Sequence, residues 1–152
     1  MDRHWALFHA LEPVYVPSFS LAMPQPFSKY FLVRTQDLNH AGTLFGGVMM
    51  SLADEMAFVA ATLTYPGCCF VTKVFHEFDF IAGPVNGDIV KVEAAVLEKG
   101  RSSVRISVKA SNAATGQDIF QTECVMVNAR DGHSVPIPEN PASATPAASA
   151  IE

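Results

Sequence analysis

Residues 39–63 read NHAGTLFGGVMMSLADEMAFVAATL, a polar turn punctuated by glycine that runs straight into an apolar helix with a carboxylate in its middle. From Val48 to Leu63 the only charged residues are Asp54 and Glu55. A surface helix carries one apolar stripe, whereas apolar residues here fall on nearly every side, which predicts a helix wrapped by the rest of the fold. Asn39, Thr43 and the pair Gly46-Gly47 supply turn and capping chemistry at its start. Tyr65-Pro66-Gly67 stops it, because proline cannot continue a helix and pushes the preceding residue out of the α region. The apolar run is short for a membrane span, and each carboxylate would cost about 2.5–3.5 kcal/mol at a bilayer centre. No membrane insertion is expected.

Outward from this stretch, residues 29–35 (KYFLVRT) form a short β-rich run before the turn. Residues 69–81 (CFVTKVFHEFDFI) predict a long strand after the helix. Period-two alternation places Thr72, Val74, His76, Phe78 and Phe80 on one of its faces, and Lys73, Glu77 and Asp79 on the other with Val71, Phe75 and Ile81. Residues 89–97, 103–111 and 119–129 alternate in the same way, and turns at 98–100 and 115–117 join them as an antiparallel meander. Strand, helix and then four strands, with no βαβ alternation and no internal repeat, predict an α+β fold: a curved antiparallel sheet wrapped round one long central helix. Residues 1–28, aromatic and proline-rich, read as an irregular N-terminal arm, 29–133 as the folded domain, and 134–152, rich in Pro, Ala and Ser, as a disordered tail.

The chain has 152 residues, enough for one domain that buries about two thirds of its unfolded surface without disulfide or metal support. Hydrophobic residues make up 49% and charged residues 16%, a low charge content that predicts surface covered by further subunits. A net charge of −5 disfavours nucleic acid as a partner of the whole surface. Lys91, Lys99, Arg101, Arg105 and Lys109 nevertheless cluster in sequence, and a local patch of them suits phosphate. Cys68, Cys69 and Cys124 are odd in number and lack metal-ligand spacing, so reduced thiols in a cytoplasmic protein without a bound metal are expected.

Asp54 is the leading candidate for chemistry. Two turns inside a buried helix, desolvation raises a carboxyl pKa unless hydrogen bonds hold the charge, and such a group serves as general base or nucleophile. The alternative is a structural carboxylate satisfied by Thr and backbone donors. Asn39 has an amide able to hold a carbonyl or a water, or simply to close an Asx-turn. Gly46-Gly47 offers backbone N–H groups at a helix start for a developing oxyanion, or merely close packing. Gly100-Arg101-Ser102-Ser103 joins a guanidinium to two hydroxyls, a donor set for phosphate oxygens that is equally an ordinary hairpin end. His40 and His76 read as turn and strand residues rather than ligands.

Taken together, Asn39-His40-Ala41-Gly42-Thr43-Leu44-Phe45-Gly46-Gly47, the following Asp54-Glu55, Gly87-Asp88 and Gly100-Arg101-Ser102-Ser103 resemble the hotdog-fold acyl-CoA thioesterases. The similarity is to the group that contains the bacterial acyl-CoA hydrolases and the cytosolic brain-type enzyme, and it spans about residues 29–138. It implies side-by-side dimers, often three to a hexamer. It also implies that Asp54 of one subunit and Asn39 of its partner face one thioester carbonyl, with Gly46 and Gly47 at the oxyanion and Arg101, Ser102 and Ser103 on the CoA phosphates. No cofactor is implied, CoA being part of the substrate. One departure is that many relatives carry an acid at the position of His76, which here is displaced to Glu77. An acyl-CoA-binding regulator and a lyase or dehydratase acting on CoA esters are the alternatives on the same fold.

Overall fold

The computed structural model describes residues 26–139. The expectations for residues 1–25 and 140–152 fall outside them. In chain order the elements are β1 (Phe27–Leu32), a single 3-10 turn (Thr35–Asp37), α1 (Gly46–Thr64), β2 (Phe70–Phe80), β3 (Ile89–Lys99), β4 (Ser103–Asn112), β5 (Asp118–Arg130) and the short β6 (His133–Ser134).

Alternation along the strands builds one apolar face. Val90, Val92 and Ala94 of β3, Val104, Ile106, Val108 and Ala110 of β4, and Cys124 and Met126 of β5 are buried, while their neighbours point the other way. α1 lies on that face through Met49, Leu52, Ala53, Met56, Ala57, Ala60 and Ala61. The four alanines are fully buried, and their small side chains let the helix approach the strands closely. The sheet runs β1-β3-β4-β5-β2, every pair antiparallel, with β6 added on β5. β3, β4 and β5 are the expected meander, whereas β2 is carried across the sheet to pair with β5 and so becomes its far edge. One helix against a curved antiparallel sheet is the hotdog fold.

Three expectations need correction. First, one chain covers α1 on one side only: Met50, Phe58 and Leu63 are 42%, 46% and 63% exposed. A sheet shelters the face it touches, and nothing else among the described residues reaches the opposite side. Second, the alternation of β2 breaks at bulges between Thr72 and Val74 and between His76 and Asp79. Phe75 and Phe78 therefore both pack on the core, against the opposite faces assigned to them by counting in twos. Glu77, in the second bulge, takes a left-handed φ of 30°. Third, the folded region runs past residue 133. Ser134 belongs to β6, the Ile137 amide donates to the Arg101 carbonyl at 2.8 Å, and Ile137 is buried.

Asn128 anchors this last segment. Its buried side-chain oxygen accepts from the Cys69 amide at 2.9 Å, and its Nδ2 donates to the carbonyls of Val135 and Pro136 at 3.1 and 3.2 Å. Removing it takes the partner from one amide and two carbonyls at a part-buried site, at about 1–3 kcal/mol for each group that water does not reach. Asn128→Ala should therefore lower the unfolding free energy by roughly 2–4 kcal/mol in a urea titration. An unchanged midpoint would show that the hub is not holding the segment.

Candidate functional site

The turn that leads into α1 is closed by Asn39. Its Oδ1 accepts from the amides of Ala41 and Thr43 at 2.9 and 3.2 Å, its Nδ2 donates to Thr43 Oγ1 at 3.1 Å, and Gly42 supplies the left-handed φ of 78° that the turn requires. One side of the amide is thus spent on the Asx-turn. The remaining Nδ2 hydrogen has no acceptor among the described residues.

Phe45 caps α1 without a side-chain hydrogen bond, and the first helical bonds run from Val48 and Met49 to the Phe45 carbonyl. The N–H groups of Gly46 and Gly47 find no acceptor among the described residues. Free donors at a helix start attract an oxygen that carries negative charge. A cleft of about 350 Å³ opens beside Gly46, lined in part by Asn39, Thr43, Gly46, Met49 and Phe80, while Gly47 faces the Phe45 ring and does not line it. At Gly46 an added Cβ would meet the Phe80 ring at 3.5 Å, so this end of β2 forms the wall of the cleft.

Asp54 lies about two turns further along the helix and does not line that cleft. It is exposed on the uncovered side of α1 rather than desolvated by its own chain, which corrects the expectation of burial. Thr72 Oγ1 donates a short hydrogen bond to Asp54 Oδ1, leaving Oδ2 without a partner among the described residues. The sequence motifs do not single out Thr72, because it meets Asp54 only once β2 folds against the helix. Glu55 is engaged elsewhere, by an ion pair at 2.5 Å with Lys29 of β1.

Within one chain, then, the structure brings Asn39 together with Gly46, and Asp54 with Thr72, but does not unite the two groups. Arg101, Ser102 and Ser103 form a third. They make the β3–β4 turn, fixed by Gly100 N–H to Ser103 carbonyl at 2.7 Å and Asn128 N–H to Ser102 carbonyl at 2.8 Å. The basic run in sequence divides here. Lys91 pairs with Glu93 at 2.7 Å, and Arg105 with Glu98 and Glu123 at 2.8 and 3.5 Å. Lys109 lines a separate polar groove on the far face of the sheet. Lys99 and Arg130 act electrostatically on Cys68, placing two further cations at the end of the sheet that carries Arg101.

Cys124 sits in the core behind Asp54. Burial, and then the negative charge of Asp54, pushes its thiol up to about 12. A raised thiol pKa keeps the neutral form at neutral pH, and only the thiolate is nucleophilic. Alkylation of the native protein at neutral pH, followed by mass spectrometry, should label the exposed Cys69 and spare Cys124 until the chain is denatured. Rapid labelling of Cys124 in the native state would contradict its position.

Known proteins resemble this chain in sequence and in fold. The sequence model of the thioesterase superfamily matches residues 41–119, a stretch that contains Gly46, Gly47, Asp54 and Arg101 and begins two residues after Asn39. An apo-hexameric acyl-CoA thioesterase is similar at 29% identity and a TM-score of 0.67, over 74% of this chain and 75% of that one. An acyl-CoA hydrolase from Staphylococcus aureus, solved with butyryl coenzyme A, coenzyme A and coenzyme A disulfide, is similar at 29% identity and a TM-score of 0.67, over 74% and 69%. A hexameric broad-specificity acyl-coenzyme A thioesterase, solved as an Asp-to-Ala variant, is similar at 26% identity and a TM-score of 0.66, over 73% and 85%.

Proposed function

Since this chain belongs to the thioesterase superfamily, we propose that it hydrolyses acyl-CoA thioesters to the free carboxylic acid and CoA, at a site shared between two copies of the chain. The observation that carries the reading is the division of the candidate residues: Asp54 is held by Thr72 at one end of β2, and at the other Gly46, the first of two glycines with unspent amides, lines a cleft with Asn39. Neither half suffices alone. A carboxylate needs a polarised carbonyl to act on, and an oxyanion site needs a nucleophile.

In this reading the thioester carbonyl rests against Gly46 and Gly47 of one copy, while Asp54 of the other takes a proton from water through its free Oδ2. The water oxygen bonds to the carbonyl carbon, the carbonyl electrons move onto oxygen, and the helix N–H groups stabilise the charge that develops there. Collapse breaks the C–S bond, and the departing CoA sulfur takes up the proton. Thr72 orients the carboxylate through Oδ1, and the Asn39 amide steadies the water or the carbonyl with its remaining hydrogen. Arg101, Ser102 and Ser103, with Lys99 and Arg130 nearby, suit the phosphates of CoA. The steps require no metal or redox cofactor. Attack by Asp54 itself would use the same groups.

Covering the open side of α1 with a second copy would also desolvate Asp54, which one chain leaves wet. The hexameric assembly of two similar thioesterases and the butyryl-CoA and CoA bound to a third support both the oligomer and the substrate class.

Thiol release from a panel of acyl-CoAs tests the proposal. Wild type should liberate CoA, and Asp54→Asn should lower kcat by about 10²–10⁴-fold with the fold intact, the usual range for a lost base. Thr72→Val should lower kcat by roughly tenfold while KM moves little, as expected of a group that only orients the acid. Full turnover by Asp54→Asn would remove the mechanism. An enoyl product without free thiol would point to a lyase, and tight acyl-CoA binding without turnover to a regulator.

A further inference from the structure

We propose that residues 135–137 form a strap that holds the β3–β4 turn in the shape that receives the phosphates of CoA, with Ile137 and Asn128 as positioning residues. This rests on the reading of Arg101, Ser102 and Ser103 as the phosphate contacts, and it adds what gives their turn its shape.

The sequence sets the strap up. After β5 come Asp131 and Gly132, both at left-handed φ, 50° and 76°, the conformation of a two-residue primed hairpin turn for which Asp-Gly is a favoured pair. The turn sends the chain back along β5, where His133 and Ser134 pair with Arg130 and Ala129. Val135-Pro136-Ile137-Pro138 follows. A proline fixes its own φ and pushes the residue before it into extended backbone, so the alternation favours an extended segment before any contact forms. Little conformational freedom is left to lose when it docks. Prolines also lack an N–H, so Val135 and Ile137 hold the only amide donors of the four, and both are used. Val135 donates to the Asn128 carbonyl and Ile137 to the Arg101 carbonyl, each at 2.8 Å. The Ile137 side chain is buried in the core and pins the strap, while Pro136 is exposed.

The strap ends on the turn. Three successive carbonyls there are engaged: that of Arg101 by Ile137, that of Ser102 by the Asn128 amide at 2.8 Å, and that of Ser103 by the Gly100 amide at 2.7 Å. The N–H groups of Arg101 and Ser102 find no acceptor among the described residues, and the Arg101 guanidinium joins no ion pair there. With its acceptors spent and its donors free, the turn suits an anion. Of the three carbonyls, only that of Arg101 takes its donor from the strap. Asn128 grips both parts at once, since its amide holds Ser102 while its Nδ2 donates to the carbonyls of Val135 and Pro136. Loosening the strap therefore frees a carbonyl to face the phosphate oxygens, which it repels.

Steady-state kinetics on paired substrates test the strap: an acyl-CoA, and the pantetheine thioester of the same acid, which lacks the phosphates. Ile137→Ser should raise KM for the acyl-CoA about tenfold with kcat within about twofold, because the contact lies away from the thioester. The same variant should cleave the pantetheine thioester as wild type does, and Ile137→Val, which keeps an apolar anchor, should retain the wild-type KM for both. Pro136→Gly, at an exposed position, should raise KM for the acyl-CoA about threefold by returning freedom to the chain, and carries the test should Ile137→Ser not fold. An unmoved KM for the acyl-CoA, a fall in kcat in its place, or equal losses on the two substrates overturns the proposal. Arg101→Ala separates the levels. If it raises KM for the acyl-CoA and the strap variants do not, the strap alone is wrong; if it leaves that KM unmoved, the phosphate reading beneath the proposal is wrong; and a wild type that frees no thiol removes the enzyme reading itself.

Discussion

Among the described residues strand β2 is hydrogen-bonded on one side only, and its position at the sheet edge is the constraint on which the proposed site depends. The strand carries Thr72 toward Asp54 at one end and Phe80 toward Gly46 at the other, so the two halves of the candidate chemistry lie along a single open ladder. Beside it runs a helix whose inner face is sealed by alanine and methionine against the sheet and whose outer face keeps Met50, Phe58 and the carboxylate in the open. Burying either surface against a copy of itself removes apolar area from water, at about 25 cal/mol per Å², and satisfies the edge at the same time. On the proposed shared site, assembly and catalysis would depend on one event.

Local chemistry on either side of that edge is well prepared. The glycine turn fixes Asn39 by three hydrogen bonds, so its amide is positioned before any ligand arrives. At the helix start, Gly46 and Gly47 leave their N–H groups unspent among the described residues, and Phe45 gives the helix no side-chain cap. Thr72 restrains Asp54 through one oxygen, and beneath the acid Cys124 is kept as an uncharged thiol by burial and by that same carboxylate. Such pre-positioned donors act on a developing charge without reorganising at the moment of reaction.

Much of this is legible in the residues. Period-two alternation at 89–97, 103–111 and 119–129 marks three strands nearly to their ends, and the capping turn and Pro66 bound α1 closely, because each signal is local. What the residues conceal is tertiary. That β2 crosses the sheet to lie beside β5 cannot be read from its own composition, and its bulges put Phe75 and Phe78 on the same side against the counting rule. An apolar helix looks the same whether its own chain covers it on all sides or a neighbour supplies the second half, so the residues alone set Asp54 in a core that one copy does not provide. Thr72 is hidden for a similar reason, lying 18 residues from its partner. The basic run reads as one patch, but Lys91 and Arg105 are paired to acids, Lys109 lies in a groove on the far face of the sheet, and Lys99 and Arg101 are left at the β3–β4 turn.

A subunit-mixing experiment tests the shared site most directly. Asp54→Asn and Asn39→Ala proteins, each nearly inactive alone, are unfolded together and refolded as a mixture. If Asp54 of one copy works with the partner's Asn39, half of the dimers are mixed and each mixed dimer keeps one intact site of its two, so the mixture should recover about a quarter of wild-type thiol release. Recovery no greater than the sum of the two separate variants, from a mixture shown to contain mixed dimers, would mean that each chain completes its own site and would contradict a centre built from two copies.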